Sequence, residues 1–222
     1  MTTNRPRLVL FAKAPQAGLV KTRLIPALGA QGAAALARHM LSHTLQQAIA
    51  ARIGPVELCM SPAPQDPAWH GINVPDAVLR TAQGAGDLGQ RMARAVQRVT
   101  TQHRQPVLLM GCDCPALTAA QLDGAARQLA SHDAVLVPAT DGGYVLIGLK
   151  APCPEVFSQM CWSTSTVAAE TLHRMAALDL RVWQDLPLHD IDEPADLAQL
   201  PDSFCFPQFL EKKRPLALAK RA

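Results

Sequence analysis

Apolar and polar positions along this chain switch repeatedly between two spacings. A continuous apolar run over residues 7–11, bounded by polar residues, predicts a short buried strand. From about residue 30 to 52 the apolar side chains Leu36, Met40, Leu41, Leu45, Ala48 and Ile49 recur at helical spacing, and Gly54-Pro55 stops the pattern. Further strands are predicted over 56–60, weakly over 78–80, then over 106–110, 134–138, 144–149 and 180–183. Helices are predicted over 88–101, from Thr118 to about 130, over 166–178 and, briefly, from 194 through 200. Thr118 with Gln121 reads as a capping box, and Pro194 suits a first helical turn. Asp141-Gly142-Gly143 reads as a tight turn joining two strands, so the sheet should be mixed. Strands alternating with helices predict a three-layer α/β/α fold with a central, mostly parallel mixed sheet.

Length and composition change this picture little. A chain of 222 residues can bury a full core, and its pattern shows no internal repeat, so one domain over 1–204 is expected. A flexible tail is expected over 205–222, where Lys212-Lys213-Arg214 and Lys220-Arg221 hold part of the net charge of +3. Aromatics make up only 4% of residues, which argues against a stacking surface for nucleic acid. No secretory leader is expected before Arg7, and no run approaches a membrane span. The six cysteines are therefore expected to be reduced and the protein cytoplasmic. Cys112-Asp113-Cys114 has no second cysteine or histidine pair at zinc-site spacing.

The candidate chemistry gathers at strand ends. After the first strand, a loop with Pro15 and Gly18 carries Lys13, Lys21 and Arg23 within eleven residues. Several cations in one loop suit a polyphosphate, whose charges repel and whose leaving group needs stabilising. Asp113 follows another strand end and is a candidate ligand for a divalent metal. Gly142 and Gly143 can keep a pocket wall open beside Asp141. Asp190 and Asp192 alternate in an extended segment and share a face, so either can complete a metal site, while Asp192 can also cap the final helix. Trp162-Ser163-Thr164-Ser165 precedes a helix and can bind an anion or serve as a cap. Gly84-x-Gly86-x-x-Gly89 matches a dinucleotide fingerprint by letter, but no acidic residue stands between Asp87 and Asp113 to hold a ribose. Contact of that glycine-rich helix entry with a base or sugar remains open. No nucleophile-elbow context supports covalent catalysis.

Taken together, these blocks resemble a family. Phe11-Ala12-Lys13-x-Pro15-x-x-Gly18-x-Val20-Lys21-Thr22-Arg23-Leu24 is similar to the opening of bacterial glycosyltransferase-A-like, selenodomain-associated transferases. The later blocks are Gly86-Asp87-Leu88-Gly89-x-Arg91-Met92, Gly111-x-Asp113-x-Pro115, Pro138-Ala-x-Asp141-Gly142-Gly143-Tyr144, Trp162-Ser163-Thr164 and Asp190-Ile191-Asp192. The match runs in order from about residue 7 to 200. It implies the nucleotide-diphospho-sugar transferase fold and Mg2+ or Mn2+ at Asp113, with Asp190 or Asp192 opposite. The leading expectation is transfer from a nucleotide-diphosphate sugar donor to a small acceptor of unknown identity. Lys13, Lys21 and Arg23 would face the diphosphate, Asp141 would be the base, and Tyr144 would face the acceptor. The fold's glycosyltransferases use Asp-x-Asp, whereas Asp113 here stands between two cysteines. The opening block and Asp190-Ile191-Asp192-Glu193-Pro194-x-Asp196-Leu197 also resemble guanylyltransferases acting on phospholactate. That likeness implies a nucleoside triphosphate and release of pyrophosphate. A nucleotide-binding protein without catalysis is the third reading.

Overall fold

The computed structural model describes residues 5–201 and Phe204; the tail expected over 205–222 lies outside the described residues. Seven strands form one sheet: β1 (Arg7–Lys13), β2 (Val56–Ser61), β3 (Leu79–Ala82), β4 (Val107–Met110), β5 (Ala134–Pro138), β6 (Tyr144–Leu149) and β7 (Val182–Gln184). Their order is β3-β2-β1-β4-β6-β5-β7, and β6 runs antiparallel to both neighbours while the other pairings are parallel. The mixed α/β sheet expected from the hairpin is therefore present. Because only β6 is reversed, β1, β4, β5 and β7 all end on one edge. The loops after them carry the cations and carboxylates. The strand order also reverses between β1 and β4, where ligands of open α/β sheets characteristically sit.

Period-two alternation divides the strands between two cores. Leu8, Leu10, Leu58, Leu108 and Val137 face α1 (Ile25–Ala51) and α3 (Ala119–Ser131), which contribute Leu41, Leu45, Leu122 and Leu129. Val9, Cys59, Leu109, Leu136 and Ile147 face α2 (Leu88–Gln97) and α4 (Val167–Ala177), which contribute Met92, Val96 and Met175. A third, smaller cluster joins Leu24, Leu36 and Met40 to Ile191, Leu200 and Phe204. It seats the end of the cationic loop against the Asp190–Asp192 segment.

Some boundaries differ from the periodic reading. β1 extends to Lys13, because Ala12 and Lys13 pair with Met60 and Ser61 of β2. α1 starts at Ile25, five residues early, and Gly29 at φ 70° interrupts it. α2 ends at Gln97 and continues as a π-helical turn over Arg98–Gln102. The final helix, Pro194–Gln199, is 3-10 in type, and Glu193 rather than Asp192 takes its N-cap position. Among the described residues, no helix is long and apolar enough to cross a membrane.

Glu57, fully buried on β2, carries the charge that most needs compensation in this framework. Arg7 reaches it at 3.2 Å and the Thr81 hydroxyl at 2.7 Å, and both outer nitrogens of Arg98 also reach its carboxylate. Burial alone would raise the Glu57 carboxyl, but hydrogen bonds from Arg98, Thr81 and Arg7 outweigh it and hold the group below its ordinary value of 4.5. A carboxyl depressed on folding stabilises above its unfolded value, and that contribution is lost as pH falls through the folded value. Glu57→Gln is expected to cost about 3–5 kcal/mol in urea unfolding at pH 7, because it leaves two guanidiniums short of a counter-charge. The gap between variant and wild type should narrow steadily below pH 4.5.

Candidate active site at the carboxyl ends of the strands

The cationic loop leaves β1 and turns at Gly18, whose φ is 81°. A Cβ at Gly18 would meet nothing within 4 Å, so among the protein's own atoms it is the positive φ, not crowding, that calls for glycine here. Lys21 follows in a left-handed conformation (φ 48°) and caps a 3-10 turn over Thr22–Leu24. Leu24 is fully buried, which fixes the turn and directs Lys21 across to the far segment. The Lys21 ammonium lies 2.8 Å from Asp113 Oδ1 and 3.6 Å from Asp192 Oδ1, and it donates to the Ile191 carbonyl. Its side chain is only 5% exposed, while that of Asp113 is 60% exposed. Arg23 pairs with Asp192 at 2.9 Å and with Glu193 at 3.8 Å. This engagement explains why Asp192 is not a helix cap. Lys13 stands exposed at the end of β1, and Thr22 is exposed beside Lys21.

Three carboxylates, Asp113, Asp141 and Asp190, line one cleft of about 130 Å³ with Gly111, Gly143 and Tyr144. Burial raises the Asp190 carboxyl, the charge of Asp141 raises it further, and Asp113 adds to this against the opposing pull of Lys21. Asp141 Oδ1 accepts from the Gly143 N–H at 2.8 Å, which shapes the turn. Gly142 has φ 92°, and a Cβ there would lie 2.0 Å from the Ser165 carbonyl. Its own carbonyl accepts from Ala168 at 2.9 Å, which docks the start of α4 on the turn. The glycine pair thus does more than close a hairpin. Tyr144 packs under the cleft and its hydroxyl meets Met92 Sδ at 3.8 Å. Burial pushes its phenol above the ordinary range.

The donor set suits a hard divalent cation. Clustered carboxylate oxygens repel one another, and Mg2+ or Mn2+ prefers oxygen ligands. Among the described residues, no three acidic, imidazole or thiol groups stand ready as a complete ion-binding set. A metal at Asp113 and Asp190 would need water or phosphate oxygens to fill its shell. The flanking thiols are not suited to that role. Cys112 donates to the Phe11 carbonyl at 3.7 Å and Cys114 to the His189 carbonyl at 3.3 Å. Burial raises both thiols, that of Cys114 to about 11, so they stay protonated.

The remaining sequence candidates lie around this cleft. Asp87 caps α2 in a reciprocal box with Gln90, a pairing carried by the Asp-x-x-Gln spacing. A Cβ on Gly89 would lie 2.3 Å from the Phe157 carbonyl and 3.0 Å from the Trp162 ring, so Gly89 lets the Trp162 loop pack on α2. Arg91 donates to the Gly86 carbonyl at 2.8 Å and reaches Gln83 at 3.4 Å. Ser163 has φ 63°, and Thr164 binds the Cys161 carbonyl at 2.9 Å instead of capping α4. Phe11 is half-buried. The buried carbonyl of Ala12 accepts from Gln83 at 3.1 Å. Gln83, which no motif marked, also binds Cys59 and so ties the ends of β1, β2 and β3. A larger cleft of about 940 Å³ opens on the other side of the loop, beside Leu19, Arg38 and Ile72.

Lys21→Met keeps the aliphatic stem and removes the charge. It should cost about 1–2 kcal/mol by thermal or urea unfolding. That is less than the 3–5 kcal/mol for breaking a fully buried pair, because water reaches Asp113.

Comparison with known proteins bears on this arrangement. Residues 44–164 match a family described as an uncharacterized protein conserved in bacteria, DUF2064. No curated protein matches the sequence. A crystal structure of a candidate nucleotide-diphospho-sugar transferase from Desulfovibrio desulfuricans G20 is 33% identical. It superposes with a TM-score of 0.78 over 85% of this chain and 82% of its own. The structure of CMP:2-keto-3-deoxy-manno-octonic acid synthetase with CTP shares the fold at 12% identity, with a TM-score of 0.52 over 88% of this chain and 96% of that one. So does Rv0371c of Mycobacterium tuberculosis H37Rv, solved with manganese, at 17% identity and a TM-score of 0.51 over 88% and 97%. The chain belongs to the bacterial DUF2064 family and has the fold of the nucleotide-diphospho-sugar transferase superfamily.

Proposed function

We propose that this protein is a metal-dependent transferase that moves a glycosyl group from a nucleotide-diphosphate sugar to a small acceptor. The observation that carries the reading is the meeting of the loop ammonium of Lys21 with Asp113 beside a cleft of three carboxylates. A cation from a loop suited to phosphates and a carboxylate suited to a metal are what a diphosphate leaving group needs from one site. The likeness to the Desulfovibrio protein supports the same superfamily chemistry.

Asp113 and Asp190 would hold Mg2+ or Mn2+, which when bound would neutralise charge on the diphosphate oxygens. Lys21 and Arg23, with Lys13 at the end of β1, would bind the diphosphate and stabilise it as it leaves. Gly86, Asp87, Gly89 and Arg91 would border the nucleotide; Trp162, Ser163 and Thr164 would close the pocket from the α4 side. Asp141, with Oδ1 held by Gly143, would take the acceptor's hydroxyl proton on Oδ2. The acceptor oxygen then bonds to the sugar's anomeric carbon. The bond from that carbon to the diphosphate breaks, and the nucleoside diphosphate leaves with its electron pair.

A second reading, nucleotidyl transfer, is favoured by one observation. Asp113 has no acidic neighbour two residues away, and the cleft's other carboxylates come from distant segments. The fold is shared with an enzyme solved with CTP. In that case a phosphorylated small molecule would attack the α-phosphorus of a nucleoside triphosphate, and pyrophosphate would leave.

Thermal shifts with Mn2+ across nucleotide-sugars, nucleoside diphosphates and triphosphates should reveal a metal-dependent ligand. Saturation at a hundred times the dissociation constant adds about 2.7 kcal/mol, worth a few degrees at this size. The released product then separates the readings: nucleoside diphosphate for glycosyl transfer, pyrophosphate for nucleotidyl transfer. Asp113→Asn is expected to abolish the metal-dependent shift; a shift of unchanged size would remove Asp113 from the metal site.

A further inference from the structure

Three acidic side chains can share a cleft only if their segments are held together against like-charge repulsion. Asp113 follows β4, Asp141 sits in the β5–β6 turn, and Asp190 lies on the strand-like segment after β7. One residue touches all three segments. The His189 ring meets the Thr140 hydroxyl through Nδ1 at 2.9 Å, next to Asp141. The His189 carbonyl accepts from Cys114 at 3.3 Å, next to Asp113. His189 itself precedes Asp190. Backbone bonds run alongside: Thr140 N–H to the Leu188 carbonyl and Ile191 N–H to the Asp113 carbonyl, each 2.9 Å.

The ring is held from behind as well. His189 Nε2 lies 2.9 Å from Asp196 Oδ1, and Asp196 Oδ2 accepts from the backbone N–H groups of Asp192 and Glu193 at 2.9 and 2.6 Å. The carboxylate can only accept, so Nε2–H donates to it, and in the neutral ring Nδ1 then accepts from the Thr140 hydroxyl. The helix start, the imidazole and the threonine hydroxyl thus form one directed chain, Asp196 to His189 to Thr140.

We infer that His189, oriented by Asp196 and bound to Thr140, is a positioning residue that fixes Asp190 against Asp113, beside Asp141, and thereby sets the affinity of Asp113 and Asp190 for a divalent cation. This rests on the metal-binding reading above. Groups that orient ligating side chains typically change metal affinity 10–100-fold when removed.

The test measures Mn2+ binding to the metal-stripped full-length chain without nucleotide, from the electron paramagnetic resonance signal of the free ion. Thr140→Val removes the hydroxyl and keeps the shape; Thr140→Ser keeps the hydroxyl. Both changes are at an exposed side chain and should leave the melting temperature within ~2 °C. Thr140→Val and His189→Gln are expected to weaken Mn2+ binding about 10-fold, Thr140→Ser less than twofold. Asp113→Asn should abolish binding and serves as the control on the metal site. Wild-type affinity in Thr140→Val alongside loss in Asp113→Asn would overturn the positioning role and leave the metal site standing. Equal weakening in Thr140→Val and Thr140→Ser would also overturn it, because the hydroxyl would not be the cause. A wild-type protein that binds no Mn2+ would remove the metal reading and this inference with it.

Discussion

One ammonium group holds the candidate site together. Lys21 reaches from the loop after β1 to Asp113 after β4 and to Ile191 and Asp192 beyond β7. These segments are far apart in sequence and have no reason to meet except through the sheet. The contact forms because Leu24 and Ile191 are buried in the same small cluster, three residues and one residue from the charges they align. Apolar packing sets the position, and the ion pair uses it. A lysine almost fully withdrawn from water needs acceptors, and here it has two carboxylates and a carbonyl.

The same arrangement leaves a tension in place. Asp190 is pushed toward its neutral form by burial and by Asp141, and Lys21 relieves only part of this. A protein under no functional demand would gain by losing one of these charges. On the metal-binding reading proposed above, a bound cation would relieve this repulsion. The structure resists it with backbone bridges, such as Ala139 beside Leu188, and with the chain of hydrogen bonds through His189. Asp190, Asp192, Glu193, Asp196 and the His189 imidazole thus lie within eight residues of sequence, from 189 to 196.

Much of the fold was legible because it depends on local rules. Strand positions followed from apolar runs, and the Asp141-Gly142-Gly143 turn announced the antiparallel β6. The capping box at Thr118 and Gln121 formed as its letters predicted. Errors arose where distant contacts overrode local preference. Asp192 had the composition of a cap but is held by Arg23, so Glu193 takes the N-cap position. Gly89 and Gly142 were singled out as pocket residues, and steric crowding by the Phe157 and Ser165 carbonyls supplies a reason that no spacing could show. Gln83 and Glu57 lacked any motif, since their partners come from elsewhere in the chain.

By itself the sequence determined which residues could do chemistry and on which strand ends they would stand. Periodicity of two and 3.6, turn glycines and capping pairs are properties of neighbours along the chain, and neighbours are what a sequence displays. Only the tertiary structure decided which charges meet. It paired Lys21 with Asp113, drew Asp141 and Asp190 into one cleft, and gave His189 its three contacts. Those outcomes depend on strand order and on the packing of Leu24 against Ile191, which bring together residues up to 170 positions apart.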